Sequence, residues 1–271
     1  MMMRPMRSRS TYLVSSGLAF AVIVGAVASQ RRNGEAAMLG ESLRGHDRLV
    51  TNEFATYNPT DQRAVSSPVW VVTSGSLFVR DGVGYSGAAT RGRVDPASST
   101  TNSGVFRAVA REEAPADLAV NVRLRIRSMV PPGSRVATEW DGVHVFVRYR
   151  SDTELYVVSV ARRDGQVAIK RKLPGGDING GHYVTIASGP RPWTLGQWWQ
   201  IQVRARTTAD GVRLALVVDG EQILTGLDRG DAGGTISGGG RVGVRGDNTE
   251  FEFSDISVAA CTTDQLTECG P

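Results

Sequence analysis

The sequence predicts an all-β protein, a two-sheet antiparallel β-sandwich of the jelly-roll type, preceded by an N-terminal export or anchor helix. Apolar and polar residues alternate with a period of two along much of the stretch 49–259, and Asp-Gly pairs separate the alternating segments. Glycine is abundant, at 32 of 271 residues, which favours many turns and short strands. An apolar run near the N-terminus is the third observation, and it predicts export.

The N-terminal segment has the layout of a secretory signal. Residues 1–10 contain three arginines and no acid, residues 18–28 are apolar, and an Ala-x-Ala sequence ends at Ala28, where cleavage is expected. The alternative is an uncleaved anchor over residues 12–28, because Arg31 and Arg32 follow at once and disfavour export. Both alternatives predict a secreted or extracytoplasmic location for the rest of the chain.

The charge of the chain argues against a nucleic-acid partner. The formal net charge is +4, and removing residues 1–28 removes three arginines and no acid, which lowers it to +1. The apparent basicity therefore belongs mostly to the export segment, and no nucleic-acid partner is expected. Contact with a membrane is expected only through the N-terminal segment, if it stays uncleaved.

The mature chain is predicted to hold one domain. Residues 29–48 are polar and predicted to be a linker, 49–259 the sandwich, and 260–271 a tail. The two cysteines, Cys261 and Cys269, lie in this tail, and in an exported chain such a pair predicts a disulfide that closes it.

The strands follow from the alternation. In 120–127 the apolar residues fall on one face and Arg123, Arg125 and Arg127 on the other, as in a half-buried strand. The segment 143–150 is predicted to place His144, Phe146, Arg148 and Arg150 on one face and Tyr149 on the opposite one. Further strands are predicted at 69–73, 76–80, 104–110, 155–161, 166–171, 183–187, 199–206, 212–218, 222–225, 241–245 and 250–258.

Asp-Gly pairs suit turns that require positive φ, and several of them are predicted to form hairpins. They stand at 81–82, 141–142, 164–165, 210–211 and 219–220. The glycine-rich tract 231–240 precedes a strand rather than a helix, so it is predicted to be a loop and not a phosphate-binding motif.

Three segments together resemble the concanavalin A-like, or laminin-G-like, jelly-roll superfamily. They are Asn52-Glu53-Phe54 followed by 70–77, the stretch 193–203 continuing into 212–220, and 240–245 ending in 251–258. The resemblance covers residues 49–259 and implies a sandwich whose first and last strands lie together. Because this fold carries many activities, the resemblance implies carbohydrate binding only by analogy.

The resemblance directs attention to one sheet face, since sugar-binding modules on this fold use aromatic rings and polar groups there. Such a face would be basic and partly aromatic here, which suits an acidic polysaccharide. We therefore predict an exported, lectin-like domain that binds glycan at or outside the cell envelope. The candidate ligand-binding residues are His144, Phe146, Arg148, Tyr156, Lys170, Lys172, Tyr183 and Trp193.

Two alternatives remain open. A polysaccharide lyase needs a general acid or base and a neutralising cation, which His144, Arg148 and Tyr156 would supply. The motifs that mark the jelly-roll alginate lyases are missing, as is the paired-carboxylate motif of the glycoside hydrolases, so the sequence favours binding without catalysis. The second alternative is a structural or adhesive envelope protein without a small ligand.

No organic cofactor is predicted. Calcium is common in related sandwiches, and Glu53 and Asp255 are the candidate ligands, with Asn52, Asp61 and Asp247 as further oxygen donors. The chain has no contiguous calcium-binding loop, which weakens the expectation of a structural calcium ion.

Overall fold

The computed structural model describes residues 67–87, 104–132, 137–178 and 180–261. Within these ranges the protein is all β, as predicted, and contains no helix. The strands are β1 (Trp70–Ser74), β2 (Phe78–Arg80), β3 (Val83–Tyr85), β4 (Val105–Ala110), β5 (Leu118–Met129), β6 (Gly142–Ser151), β7 (Glu154–Arg162), β8 (Gln166–Ile178), β9 (Gly181–Pro190), β10 (Trp198–Thr208), β11 (Gly211–Val218), β12 (Glu221–Asp228), β13 (Arg241–Asp247) and β14 (Thr249–Ala260).

The strands form two antiparallel seven-stranded sheets. The first sheet has the order β1-β4-β13-β6-β7-β8-β9, and the second has the order β12-β11-β10-β5-β14-β3-β2. The chain crosses between the sheets several times, whereas β6 to β9 and β10 to β12 are consecutive hairpins within one sheet. The predicted two-sheet sandwich is confirmed.

Each predicted strand corresponds to an observed one. Only β3 was not predicted, because it is three residues long and follows β2 directly through the Asp81-Gly82 turn. Four of the five Asp-Gly pairs lie in hairpins, and the glycine-rich tract is a loop between β12 and β13. At Gly211, which has φ +135°, an added Cβ would lie 2.0 Å from the carbonyl oxygen of Asp228, so no other residue fits this turn.

The core lies between the sheets and follows the period of two. From β6 the side chains of Val143, Val145 and Val147 point into it, and from β10 those of Ile201 and Val203. Four aromatic residues fill the end where β1, β4 and β14 meet, with ring centroids 5.6–6.2 Å apart: Trp70, Phe106, Phe251 and Phe253.

A β-bulge in β6 overturns the face predicted for Arg148. Arg241 pairs with Tyr149 and Gly243 with Phe146, so β6 has one more residue than β13 over this stretch. Arg148 lies at this bulge, and its backbone φ of +48° is in the left-handed region. The alternation shifts at this point: Arg148 turns into the interior, and Tyr149 joins Phe146 on the outer face, with their rings stacked at 6.0 Å.

Two buried arginines, Arg148 and Arg171, link the sheets. Arg171 of the first sheet donates to both carboxylate oxygens of Asp228 in the second sheet, each at 2.7 Å. Tyr156 donates to the same carboxylate at 2.6 Å. Arg148 donates to Thr207 of β10 at 2.8 Å and to the carbonyl oxygen of Ile236 at 2.7 Å.

The same two arginines fasten the glycine-rich loop. Arg171 also donates to the carbonyl oxygens of Ala232 and Gly234, and Arg148 to that of Ile236. Ile236 anchors the loop in the core, and these buried charge-assisted hydrogen bonds hold the backbone around it.

Several predictions fall on residues outside the described ranges. They are the export or anchor helix, the linker 29–48, Glu53 and its neighbours Asn52 and Phe54, Asp61, and Cys269. The disulfide therefore stays a prediction, with Cys261 as the last described residue. None of the described segments forms a helix long and apolar enough to cross a membrane.

Replacing Arg171 with Met should lower the free energy of unfolding by about 3–5 kcal/mol, because it leaves the buried Asp228 carboxylate without its cation. Tyr156→Phe removes one hydrogen bond to that carboxylate and should cost less, about 1–3 kcal/mol. Urea unfolding of both variants measures this order. A smaller loss for Arg171→Met than for Tyr156→Phe would contradict the role assigned to the pair.

Candidate functional site

The candidate site is the outer face of the first sheet, the face turned away from the second sheet. The register across the sheet aligns Arg107 of β4, Arg245 of β13, His144 of β6 and Ser159 of β7 in one row. A second row runs through Val109, Gly243, Phe146, Val157 and Lys170, and Lys172 and Tyr183 pair across β8 and β9. Alternation places all these side chains on one face.

His144 lies in a buried polar row. Its Nδ1 is 2.9 Å from Ser159 Oγ, and its Nε2 is 3.1 Å from Asp247 Oδ2, a close but poorly aligned contact. Arg245 holds the other side of Asp247 at 2.6–3.0 Å. Because Asp247 is an acceptor, we assign the ring proton to Nε2 and let Nδ1 accept from the serine hydroxyl.

The electrostatics of this row favour a neutral histidine beside an ionised aspartate. Burial lowers the pKa of His144, and Asp247 opposes this only in part. Burial alone would raise the pKa of Asp247, but the Arg245 guanidinium and His144 hold it well below its usual range. The guanidinium therefore neutralises the carboxylate, and the imidazole is a polar neighbour.

A second polar group lies beside this row. Arg107 donates to Thr73 at 2.6 Å and to Asp152 at 2.8 Å, and Tyr149 also donates to Asp152. Burial and the Asp152 carboxylate raise the pKa of Tyr149. The same face carries an apolar cluster of Val109, Phe146, Tyr149, Leu155 and Val157, against which Tyr183 packs.

The β8–β9 side of the face carries two ammonium groups and a ring. Lys172 Nζ lies 5.3 Å and Lys170 Nζ 5.9 Å from the centroid of the Tyr183 ring. Within the described ranges neither ammonium group has a carboxylate within ion-pair distance. Burial lowers the pKa of both lysines, that of Lys172 to about 8, and raises the pKa of Tyr183.

Five of the eight predicted ligand-binding residues share this face: His144, Phe146, Lys170, Lys172 and Tyr183. They differ in access, because His144, Phe146 and Lys172 are 6%, 2% and 3% exposed, whereas Lys170 and Tyr183 are half-buried. A ligand on this face would therefore contact Lys170 and Tyr183 first, with Lys172 behind them.

The other three predicted residues lie elsewhere. Arg148 is turned inward by the bulge, and Tyr156 lies on the core face of β7; both are fully buried and held by protein partners. Trp193 precedes β10, where its ring meets that of Trp199 at 5.2 Å and the Arg191 guanidinium at 4.6 Å. Assigning Arg148 and Tyr156 to the ligand-binding face was wrong.

The lyase constellation is not assembled. His144 lies on the outer face of the first sheet, while Arg148 and Tyr156 lie between the sheets, so the three cannot converge on one substrate. Ser159, His144 and Asp247 do have the order of a serine hydrolase triad. However, Ser159 lies mid-strand and is 2% exposed, so a substrate carbonyl could not reach its hydroxyl in this conformation.

The described residues do not form a calcium site. Asp255 lies 3.9 Å from the Arg123 guanidinium, and Asp247 is held by Arg245, so both carboxylates face cations already. The described ranges contain no group of three or more His, Cys, Asp or Glu residues placed to bind a metal. Glu53 lies outside them, and calcium stays a prediction without a structural argument.

Arg107, Ser159 and Arg245 on this face were not predicted from the sequence. Each lies in a predicted strand, but the order in which the strands pair was not known. Arg245 lies beside His144, and Arg107 one strand further, only because β13 pairs with β6 on one side and with β4 on the other. The alternation of each strand was available, but the strand order was not.

Comparison with known proteins identifies the fold. No family model matches the chain, and no curated protein matches it. Among solved structures, the carbohydrate-binding module CBM66 from Bacillus subtilis superposes with a TM-score of 0.50 at 11% identity, covering 77% of this chain and all of that one. The chain therefore shares the β-sandwich fold of that module, which is the fold that the resemblance seen in the sequence implied.

Two further structures score lower. A protein of unknown function with a galectin-like fold from Bacillus subtilis has a TM-score of 0.47 at 13% identity, over 70% of this chain and 89% of its own. A Lotus tetragonolobus seed lectin has a TM-score of 0.43 at 10% identity, over 74% of this chain and 97% of its own. At such identities the similarity concerns the fold alone.

Stability should fall as the pH decreases below about 6.5, the ordinary pKa of histidine, because the unfolded chain binds a proton that the buried His144 resists. The expected slope is at most about 1.4 kcal/mol per pH unit. His144→Gln should flatten it in urea unfolding between pH 7 and 5. His182→Gln, which changes an exposed histidine of β9, is the matched control and should keep the slope; equal slopes in all three proteins would refute the assignment.

Proposed function

We propose that the chain is an exported carbohydrate-binding protein whose lysine–tyrosine side of the first-sheet face binds a polysaccharide with acidic groups. The observation that carries this proposal is the pair Lys170 and Lys172 beside the Tyr183 ring, with no described carboxylate to neutralise them. Ammonium groups that are partly removed from water without a counter-ion are unfavourable, and an anionic ligand would supply that counter-ion.

The site has the two kinds of group that sugar recognition needs. An aromatic ring offers a flat apolar surface to a sugar ring, and the ammonium groups donate hydrogen bonds to hydroxyl and carboxylate oxygens. His144, Asp247 and Arg245 lie on the same face as a row of polar groups in which the carboxylate is already neutralised. The fold adds support by analogy, since the structure with a TM-score of 0.50 is a carbohydrate-binding module.

Binding without catalysis is the better proposal for this geometry. Proton abstraction beside a uronate needs an accessible acid or base together with a cation at the carboxylate. His144 is shielded and lies among groups that already neutralise one another, and Arg148 is in the interior. Incubation with alginate or pectin should therefore give no rise in the absorbance of unsaturated uronate products.

A glycan array probed with the purified full-length chain should show binding, with uronate-containing glycans above neutral ones. Lys170→Ala and Tyr183→Ala should each weaken that binding about tenfold, because each removes a charge-assisted or stacking contact. His182→Ala is the matched control. It changes the residue directly before Tyr183, whose side chain points to the opposite face of the sheet, and it should leave binding unchanged. Absence of any glycan response would overturn the proposal in favour of a structural or adhesive protein.

Export is testable separately. Mass spectrometry of the protein recovered from its expressing cells should show an N-terminus at Ser29 if the signal is cleaved after Ala28. An intact N-terminus in the membrane fraction would identify the anchored form over residues 12–28. An intact chain in the cytoplasm would refute export.

A further inference from the structure

The outer face of the second sheet carries a concentration of arginines that the first-sheet site does not use. Alternation on β5, β10 and β11 turns the aliphatic residues into the core and these arginines outward. The register brings the three strands together as neighbours, in the order β11-β10-β5. We call this set the arginine track: Arg123, Arg125, Arg127, Arg204, Arg206 and Arg213.

Among the residues that the structure describes, acidic groups compensate the track at one end alone. Arg125 pairs with Glu252, to which it donates at 2.6 Å, and Arg127 lies 4.0 Å from the same carboxylate. Arg123 lies 3.9 Å from Asp255, whose side chain is 68% exposed, so this contact is weak. The cations of the first sheet, in contrast, include Arg107 and Arg245, which are paired closely with carboxylates.

The other end of the track has no such partner. Arg206 and Arg213 face each other directly across β10 and β11, and neither forms an ion pair with any described residue. Like charges directly opposite in an antiparallel pair destabilise it. An anionic group lying between the two guanidinium groups would reverse the sign of this interaction, because each could donate hydrogen bonds to it.

Polar and aromatic groups connect the two ends. The guanidinium groups of Arg123 and Arg125 both lie 4.6 Å from the centroid of the Trp198 ring, which orders them. Between the ends, Gln202 donates to Asn121 at 2.9 Å and accepts from Arg204 at 2.6 Å. The track is thus a continuous polar surface rather than two separate charges.

The dimensions fit a linear chain. From Trp198 to Arg206 the track follows one strand for about 27 Å, at roughly 3.4 Å per residue. At the Trp198 end, the register continues across Arg125 and Glu252 to Tyr85. A cavity of about 150 Å³ lies there, lined by Arg80, Asp81, Val83, Tyr85, Arg125 and Glu252.

We propose that the arginine track binds a linear anionic polysaccharide along β10, with its carboxylate or sulfate groups at the two arginine clusters. Arginine suits this role better than lysine, because its planar fork donates two parallel hydrogen bonds to such groups. The amides of Asn121 and Gln202 and the Trp198 ring suit hydroxyls and sugar rings. A flat sheet has no helix or ribbon to enter a DNA groove, and the track is dominated by charged and amide side chains rather than by the apolar ones that a membrane would bury.

This proposal is independent of the first-sheet site. The test immobilises polygalacturonate, which carries carboxylates, and dextran sulfate, which carries sulfates, with neutral dextran as the control polymer. Binding of the full-length chain is measured at several salt concentrations by surface plasmon resonance. The track variant is Arg206→Gln with Arg213→Gln, and the matched control is Arg111→Gln, an exposed arginine after β4.

We expect the chain to bind one or both anionic polymers and not dextran, with affinity that falls as salt rises. The double variant should bind at least tenfold more weakly, because it removes two charge-assisted contacts, and Arg111→Gln should bind as the parent does. The variant should also melt at the same temperature as the parent or higher, since it removes a like-charge pair. Which polymer responds distinguishes carboxylate from sulfate.

Equal binding by the double variant and the parent would overturn the proposal, as would binding of dextran alone. Stronger track-dependent binding to a DNA duplex, or to vesicles with 30% anionic lipid, would also overturn it and assign the face to those partners. Because Lys170→Ala removes the first-sheet contribution to binding, the comparison is repeated in that background, where the double track variant should still bind the polymer at least tenfold more weakly. Loss of polymer binding in Lys170→Ala, with no further loss in the double track variant, would assign the ligand to the first-sheet face.

Discussion

The sandwich depends on charges buried between its sheets. Arg171 in the first sheet and Asp228 in the second form a bidentate pair inside the protein, and Tyr156 adds its hydroxyl to the same carboxylate. Isolated charges in such a place would be very costly, so each partner is tolerable only while the other is present. The pair therefore fixes how β8 lies over β12, and with it the backbone of the glycine-rich loop that Arg171 also holds.

This arrangement has a consequence for the outer faces. Because Arg148 and Arg171 are occupied in the interior, the cations of the first-sheet face are a different set. Arg107 and Arg245 are neutralised there by Asp152 and Asp247, whereas the two lysines beside Tyr183 have no described carboxylate within ion-pair distance. On the second sheet the arginines of β10 and β11 have no described acidic partner. The two faces therefore differ in how far their positive charge is neutralised. On the first sheet the uncompensated charge is confined to the lysine–tyrosine side, whereas on the second sheet it extends along the arginine track.

The features that could be predicted from the sequence are those that depend on local interactions. Alternation along a strand is set by backbone geometry within a few residues, so the strands and the core valines of β6 were predictable. The face of Arg148 was not, because one extra residue in β6 is visible only against β13, its partner from a distant part of the chain. The face of Tyr156 could not be predicted for a related reason. A tyrosine in a strand fits either face of a sheet, and the inner face is favourable here because its hydroxyl donates to Asp228 on the other sheet.

The all-β class, the strands and their turns follow from the period of two, the composition and the turn residues, so they could be predicted from the sequence. The same holds for the residues able to form a charged and aromatic surface. Which charged residues lie next to one another depends on the tertiary structure. Strand order aligns Arg107 and Arg245 with His144 and sets Arg206 against Arg213, and the bulge exchanges Arg148 for Tyr149 on the outer face. Pairing between distant strands carries this information, because a shift of one residue moves every later side chain to the other face.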